Sequence, residues 1–319
     1  MRPAVSALAL LTLVSCAGAP ASRSAAPPAP APAASAPPLS ASASPTSSVA
    51  TTQAVLPPAP HPCGALNCLA FPTPEAAFAY VLQSKPRILA LGEAHAQEGM
   101  PGIRSSTRRF AEQLLPMLAG KSKHIVIELL VANCKQATVA AVKQQQAPVT
   151  EHQAKGNQNE FLTLGKYAQH LGIEPQALNP DCAEYEAVLA AGEDSVSRLL
   201  GLVATQTTKA VELLLQQPDA AGNVILSYGG ALHNDLHPRP GQEAWSFGPK
   251  LAEDAQGGYV ELDLIVPEFV KDSEAWRNMP WFPAFDREHL SDEALLYQPA
   301  PGSFALIFPK TSAAGTQEL

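Results

Sequence analysis

The sequence predicts an α/β fold, a mostly parallel sheet with helices on both faces, as a single domain after a disordered tether. Three observations predict it. Short apolar runs recur at residues 87–91, 124–130, 223–227, 259–266 and 304–308, with the composition of strands buried on both faces. Segments with helical spacing alternate with them, as crossover connections require. The alternation starts only after residue 61, because Ala, Pro and Ser fill the stretch before it.

The elements follow in order. Thr73-Pro74-Glu75 opens a helix to about Leu82, with Thr73 as N-cap and Pro74 at the first helical position. Residues 87–91 form the first strand. Phe110, Leu114, Leu115 and Leu118 share one helical face, so 103–118 reads as a helix. The strand 124–130 comes next, with helices around 135–145 and 160–170. Residues 172–178 read as a strand that Pro175 makes irregular or an edge. A long helix over 195–217 leads to the strand 223–227, and 259–266 and 304–308 complete the sheet. The aromatic and proline-rich segment 276–285 reads as a lid over a pocket or a plain cover on the core.

The start of the chain bears on compartment. A basic Met1-Arg2 precedes the apolar stretch 5–14, which is too short to cross a bilayer as a helix. It runs into Leu13-Val14-Ser15-Cys16, which resembles the lipobox of bacterial lipoprotein signal peptides. That resemblance implies a signal peptide over 1–16, a lipid on Cys16 and a place in the bacterial cell envelope, facing the periplasm or on the cell surface. An ordinary secretory signal with a chance cysteine would also export the chain. Residues 17–61 lack any periodic apolar pattern and read as a disordered linker. If extended like polyproline, it would reach about 130 Å at roughly 3.1 Å per residue. Residues 62–319 suit one large α/β domain. The membrane is then met through the N-terminal lipid only.

Setting Cys16 aside leaves Cys63, Cys68, Cys134 and Cys182, an even number in an oxidising compartment. The favoured pairing is Cys63–Cys68, closing a small loop, with Cys134–Cys182 tying two loops together. A four-cysteine zinc site is the rival, but such sites usually show two close pairs, and only the first pair here is close. The formal net charge of −8, with scattered Lys and Arg, argues against a nucleic acid partner.

Two segments carry the candidate chemistry. In Ile88-Leu89-Ala90-Leu91-Gly92-Glu93-Ala94-His95 and Val224-Ile225-Leu226-Ser227-Tyr228-Gly229-Gly230-Ala231-Leu232-His233, a strand-like run ends in Gly-x-x-His. Glycine lets the backbone turn off a strand end, and histidine binds metal or moves protons near neutral pH. In a parallel sheet the strand ends also bring Glu128, then Asn179 and Asp181, to the same rim. His237 and Arg239 follow His233 closely, and His237 reads as a surface residue of a Pro-containing loop.

Two chemistries fit. His95 and His233, with Glu93 and Asp181 as carboxylates, form a ligand set for a divalent metal with a position open to water. The metal-free version uses one histidine as general base, oriented by Glu93 or Glu128. For Glu128 an ion pair with Arg108 or Arg109 is the structural alternative. Gly-x-Ser-x-Gly, P-loop, dinucleotide Gly-x-Gly-x-x-Gly and His-Glu-x-x-His patterns do not occur.

Leu91-Gly92-Glu93-x-His95, Val126-Ile127-Glu128 and Gly230-x-x-His233, with Ser246-Phe247-Gly248-x-x-Leu251 and Gly258-Tyr259-Val260 downstream, resemble a known superfamily. It joins erythromycin esterases, ChaN-like haem-binding lipoproteins and Tiki/TraB-type proteins. The resemblance implies an α/β domain with Glu93, His95, Glu128 and His233 converging on one catalytic site, and a hydrolase acting on a small-molecule or peptide substrate. It is metal-dependent in the Tiki branch. Haem is the alternative ligand, with Tyr228 or Tyr185 near strand ends as the tyrosines available to it.

Overall fold

The computed structural model describes residues 59–312, apart from 101, 132, 147–149 and 151–152. The expected signal peptide, the lipid on Cys16 and nearly all of the expected linker lie outside the described residues.

The described chain forms one mixed sheet of nine strands. β1 (His61–Pro62) and β2 (Leu69–Phe71) precede α1 (Pro74–Leu82). Thr73 caps α1 by accepting the Ala76 N–H at 3.2 Å, and Pro74 stands in its first turn, as the sequence predicts. β3 (Ile88–Glu93) leads to α2 (Ser106–Arg109), which continues as a π turn (Phe110–Leu114) and a 3₁₀ turn (Leu115–Leu118). The expected single helix over 103–118 is therefore three short pieces. Pro116 explains the break, since it has no N–H to give and its ring crowds the preceding turn.

β4 (Ser122–Leu130), α3 (Gln136–Gln145), α4 (Asn157–His170) and β5 (Glu174–Leu178) follow. Next come α5 (Cys182–Ala190), α6 (Ser195–Leu215), β6 (Val224–Gly230), α7 (Gly248–Asp254) and β7 (Tyr259–Ile265). α8 (Glu274–Arg277) and the hairpin of β8 (Ala294–Ala300) and β9 (Ser303–Ile307) end the domain.

The strand order is β1-β2-β8-β9-β7-β3-β6-β4-β5. All neighbours from β9 to β5 run parallel, and β8, β2 and β1 add an antiparallel flank. β5 is an edge strand, the place a strand containing Pro175 can occupy without losing a ladder bond.

Alternation along the strands sends side chains to two cores. Leu89, Leu91, Ile125, Ile127, Leu226, Leu262 and Leu264 pack with Phe110, Leu114, Phe161 and Leu164 on the α1, α2 and α4 side. Ile88, Ala90, Val126, Ile225 and Tyr259 pack with Val203, Val211 and Leu251 on the α6 and α7 side. Glu93 therefore belongs to the first face. Gly92, Glu128, Gly229 and Asp263 belong to the second.

Both expected disulfides are present, Cys63–Cys68 and Cys134–Cys182. The first sits beside the aromatic segment, where Trp281, Phe282 and Phe285 are buried against Ile265, Tyr297, Ala305 and Ile307. That segment is a cover on the core beside β7, β8 and β9. Among the described residues no helix is long and apolar enough to cross a membrane.

Candidate active site at the carboxyl edge of the sheet

β3 and β6 are parallel neighbours, paired Gly92 with Gly229 and Glu93 with Gly230. The two Gly-x-x-His segments thus leave the sheet side by side, and β4 delivers Glu128 on the other side of β6. Their convergence is measured at Gly230. A Cβ placed there would lie 3.4 Å from His95 Nε2, 3.6 Å from Glu128 Oε2 and 3.8 Å from His233 Cδ2.

Each imidazole is oriented from behind. His95 Nδ1 lies 2.7 Å from Glu93 Oε1. Glu93 also accepts hydrogen bonds at Oε2, from the Thr107 hydroxyl at 2.5 Å and the Tyr228 hydroxyl at 2.7 Å. A carboxylate so surrounded by donors is an acceptor, so Nδ1 carries the proton. In the neutral ring Nε2 is then the free lone pair. His233 Nδ1 donates to the Trp245 carbonyl at 2.7 Å, leaving Nε2 free as well. That nitrogen faces Glu128 Oε1 at 3.6 Å, while Glu128 Oε2 accepts the Gly230 N–H at 2.6 Å.

The charges of this edge act on His95. Burial opposes its charged form, but the hydrogen bond it donates to Glu93 and the nearby carboxylates of Glu93 and Glu128 prevail, raising its pKa above 6.5. Tyr228 is pushed well above 10, first by burial and then by the adjacent Glu93, so it stays a donor. The Phe110 ring stacks on Tyr228 at 5.1 Å and the Phe161 ring lies 6.0 Å from His95, walling the site on the α4 side. On the α6 side a cavity of about 10 Å³ touches Glu128 and His233, with Thr207, Ser227 and Phe247 in its wall. It is roughly the size of one water molecule.

Four predicted residues, Glu93, His95, Glu128 and His233, meet here, and two placements differ from the sequence reading. Asp181, expected as a metal ligand, is exposed and caps α5, accepting the Glu184 N–H at 2.8 Å while Glu184 returns the bond to the Asp181 N–H. A capping box satisfies helix-end donors, which is what this carboxylate does. Glu93, also expected to touch the metal, has both oxygens engaged by His95, Thr107 and Tyr228, and so stands behind the histidine. Glu128 is not paired with Arg108 or Arg109. Arg108 bonds Glu112, and Arg109 holds the Pro309 carbonyl and Thr311. Asn179 turns back to the Ala177 carbonyl, and His237 is exposed.

Thr107 was not legible as a site residue, because its loop and helix position follows no spacing from Glu93. Asp263 and Glu261 were within reach of the sequence. Two carboxylates at alternate positions of Tyr259-Val-Glu-Leu-Asp263 put charge on one face of a buried strand, which requires partners.

As it stands, no group of three or more His, Cys, Asp or Glu side chains among the described residues is gathered closely enough to hold an ion. By donor type, His95 Nε2, His233 Nε2 and Glu128 Oε1 suit zinc or a similar divalent metal. Each histidine also has the oxygen acceptor behind Nδ1 that ligating histidines have. The chain matches no protein-family model, no curated protein and no solved structure.

Proposed function

We propose that the chain is an exported, lipid-anchored envelope protein whose α/β domain is a metal-assisted hydrolase of a small-molecule or peptide substrate. The observation that carries the catalytic part is the convergence of two imidazoles. His95 brings Nε2 and His233 brings Cδ2 beside Gly230, His233 Nε2 faces Glu128 Oε1 at 3.6 Å, and both rings have Nδ1 held from behind by an oxygen. The lipobox-like Leu13-Val14-Ser15-Cys16 and the disulfides support export to an oxidising compartment.

In this reading His95, His233 and Glu128 would hold the metal, which would supply Lewis-acid activation of water and substrate. Glu93 fixes the His95 tautomer and favours positive charge on that ring. Thr107 and Tyr228 hold Glu93 in turn. Glu128 is anchored at Oε2 by the Gly230 amide, leaving Oε1 to bind or to take a proton. Phe161 shields the His95 side from bulk water. The haem-binding alternative finds less support in the tyrosines. The Tyr228 hydroxyl is committed to Glu93, and Tyr185 is buried with Val142, Val188 and Leu199.

The test is metal content and zinc titration of the full chain, followed by assay on ester, phosphate and peptide substrates. His95→Ala, His233→Ala and Glu128→Gln should each lower turnover by about 100-fold or more, the low end for positioned acid–base groups. Glu93→Gln should weaken zinc binding by about 10-fold or more, as loss of an outer-shell partner does. A chain that takes up no metal, with variants equal to wild type on every substrate, would overturn the reading. A Soret band on adding hemin, lost in His95→Ala, would favour the haem alternative.

A further inference from the structure

β7 carries Glu261 and Asp263 into the α6 and α7 face, where they are only 6 and 7 % exposed. No salt bridge to either is formed among the described residues. Their partners come mainly from the chain just after His233. Leu236 N–H donates to Glu261 Oε2 at 2.7 Å, and Asn234 Nδ2 donates to Asp263 Oδ1 at 3.1 Å. The same Asn234 amide reaches the Ala90 carbonyl of β3 at 3.3 Å, and Tyr259 Oη donates to the Asn234 carbonyl at 2.6 Å. Ser246 Oγ and the Phe247 N–H take the His233 carbonyl at 3.1 and 2.9 Å. The backbone after His233 is thus pinned to β7, β3 and the start of α7.

The contact with β3 is unusually close. A Cβ on Gly92 would lie 2.4 Å from Asn234 Oδ1, 2.5 Å from Asp263 Oδ1 and 2.7 Å from Ala231 Cα. Asn234 is 1 % exposed, and its Oδ1 has no hydrogen-bond donor among the described residues. One carboxamide–carboxyl pair therefore lies between the strand that ends in Glu93, just before His95, and the loop that carries His233.

We propose that Asn234 and Asp263 are positioning residues of the candidate site, setting the aim of His233 by locking its loop against Gly92. This rests on the reading of His95, His233 and Glu128 as one site, and it adds a supporting layer on the far side of β3. The pair is chemically consistent without a cation. Burial, with the Asp235 charge adding to it, outweighs the Asn234 hydrogen bond and pushes the Asp263 carboxyl up to about 7. A carboxyl that is largely protonated below that pH needs no counterion.

The test uses the full chain with its disulfides intact and compares wild type with Asn234→Ala, Asp263→Ala and Asp263→Asn. Two quantities are read: the imidazole ¹⁵N signals of His233, with His95 as internal control, and the affinity for zinc alone. In both alanine variants the Nδ1–H form of His233 should lose population while the His95 ring signals stay in place. Zinc affinity should fall about 10-fold, and Asp263→Asn should recover it to within about threefold, as expected of an outer-shell contact. Unchanged His233 signals in folded Asn234→Ala and Asp263→Ala would overturn the proposal, as would equal shifts at His95 and His233. Should Asp263→Ala not fold, Asn234→Ala decides by the same criteria. A wild type that binds no zinc defeats the metal reading alone, since the ring signals still decide whether the pair positions His233.

Discussion

Gly92 and Gly229 face each other across β3 and β6, and each leaves room for a neighbour that a methyl group would displace. At Gly92 the neighbours are Asn234, Asp263 and the Ala231 backbone; at Gly229 they are Glu128 Oε2 at 2.4 Å and Glu128 Cβ at 2.9 Å. Because Ala231 Cα cannot swing aside, Gly92→Ala should cost about 1–3 kcal/mol, the usual range for overpacking. Urea unfolding measures it, and a variant as stable as wild type would contradict the close approach. The Gly-x-x-His pattern marks Gly92 and Gly230 as turn-makers. Gly92 instead lies inside regular β3 and serves close contact, and Gly230 is the last residue of β6. Asp181 shows the converse. Asp181-Cys182-Ala183-Glu184 has the spacing of a capping box, the role this carboxylate fills. His95, His233 and Glu128 were legible because a polar residue closing a buried apolar run has few places to go.

At the scale of elements, the Cys134–Cys182 bridge joins the segment before α3 to the first residue of α5 across a sequence separation of 48. Around it, Val142 of α3, Tyr185 and Val188 of α5 and Leu199 and Leu202 of α6 form a small cluster of their own. So small a core gains from a covalent tie that limits the unfolded chain. Cys134→Ser with Cys182→Ser should lower stability by about 2–4 kcal/mol. Thermal unfolding of the double variant against wild type checks this, and reductant, which also opens Cys63–Cys68, should cost wild type at least as much. The central parallel strands were readable because burial on both faces makes them largely apolar. β1, β2 and β8 were not. The first two are two and three residues long, and β8 carries Gln298 and Pro299 near its end. Such strands are recruited by pairing with β9 and with one another, and pairing leaves little periodic trace in so few residues.

For the molecule as a whole, the buried acids on β7 tie stability to pH. Asp263 has an ordinary pKa of 3.8 and a folded value of about 7. Between those values the folded protein holds more protons than the unfolded chain, so stability falls as pH rises and levels off above about 7. Glu261 is shifted upward too, first by burial and then by the Asp263 charge, and acts in the same direction. Asp263→Asn cannot titrate. Its loss of stability between about pH 5 and about pH 8 should be smaller than that of wild type in urea unfolding, and equal losses would refute the upward shift. The α/β class and the parallel centre were legible from the alternation of apolar runs and helical spacing. The strand order was not, because register and crossover depend on contacts between residues far apart, such as Ala90 with Asn234.

The flanks of the sheet carry a consequence for how copies of the chain behave when crowded. One flank ends in the two-residue β1, and the other in β5, where Pro175 has no amide hydrogen to offer. Among the described residues neither border presents a long ladder of free backbone groups onto which a second chain could add, and short or proline-bearing borders discourage edge-to-edge growth. Copies of the chain at high density would therefore tend to stay separate rather than polymerise through their sheets.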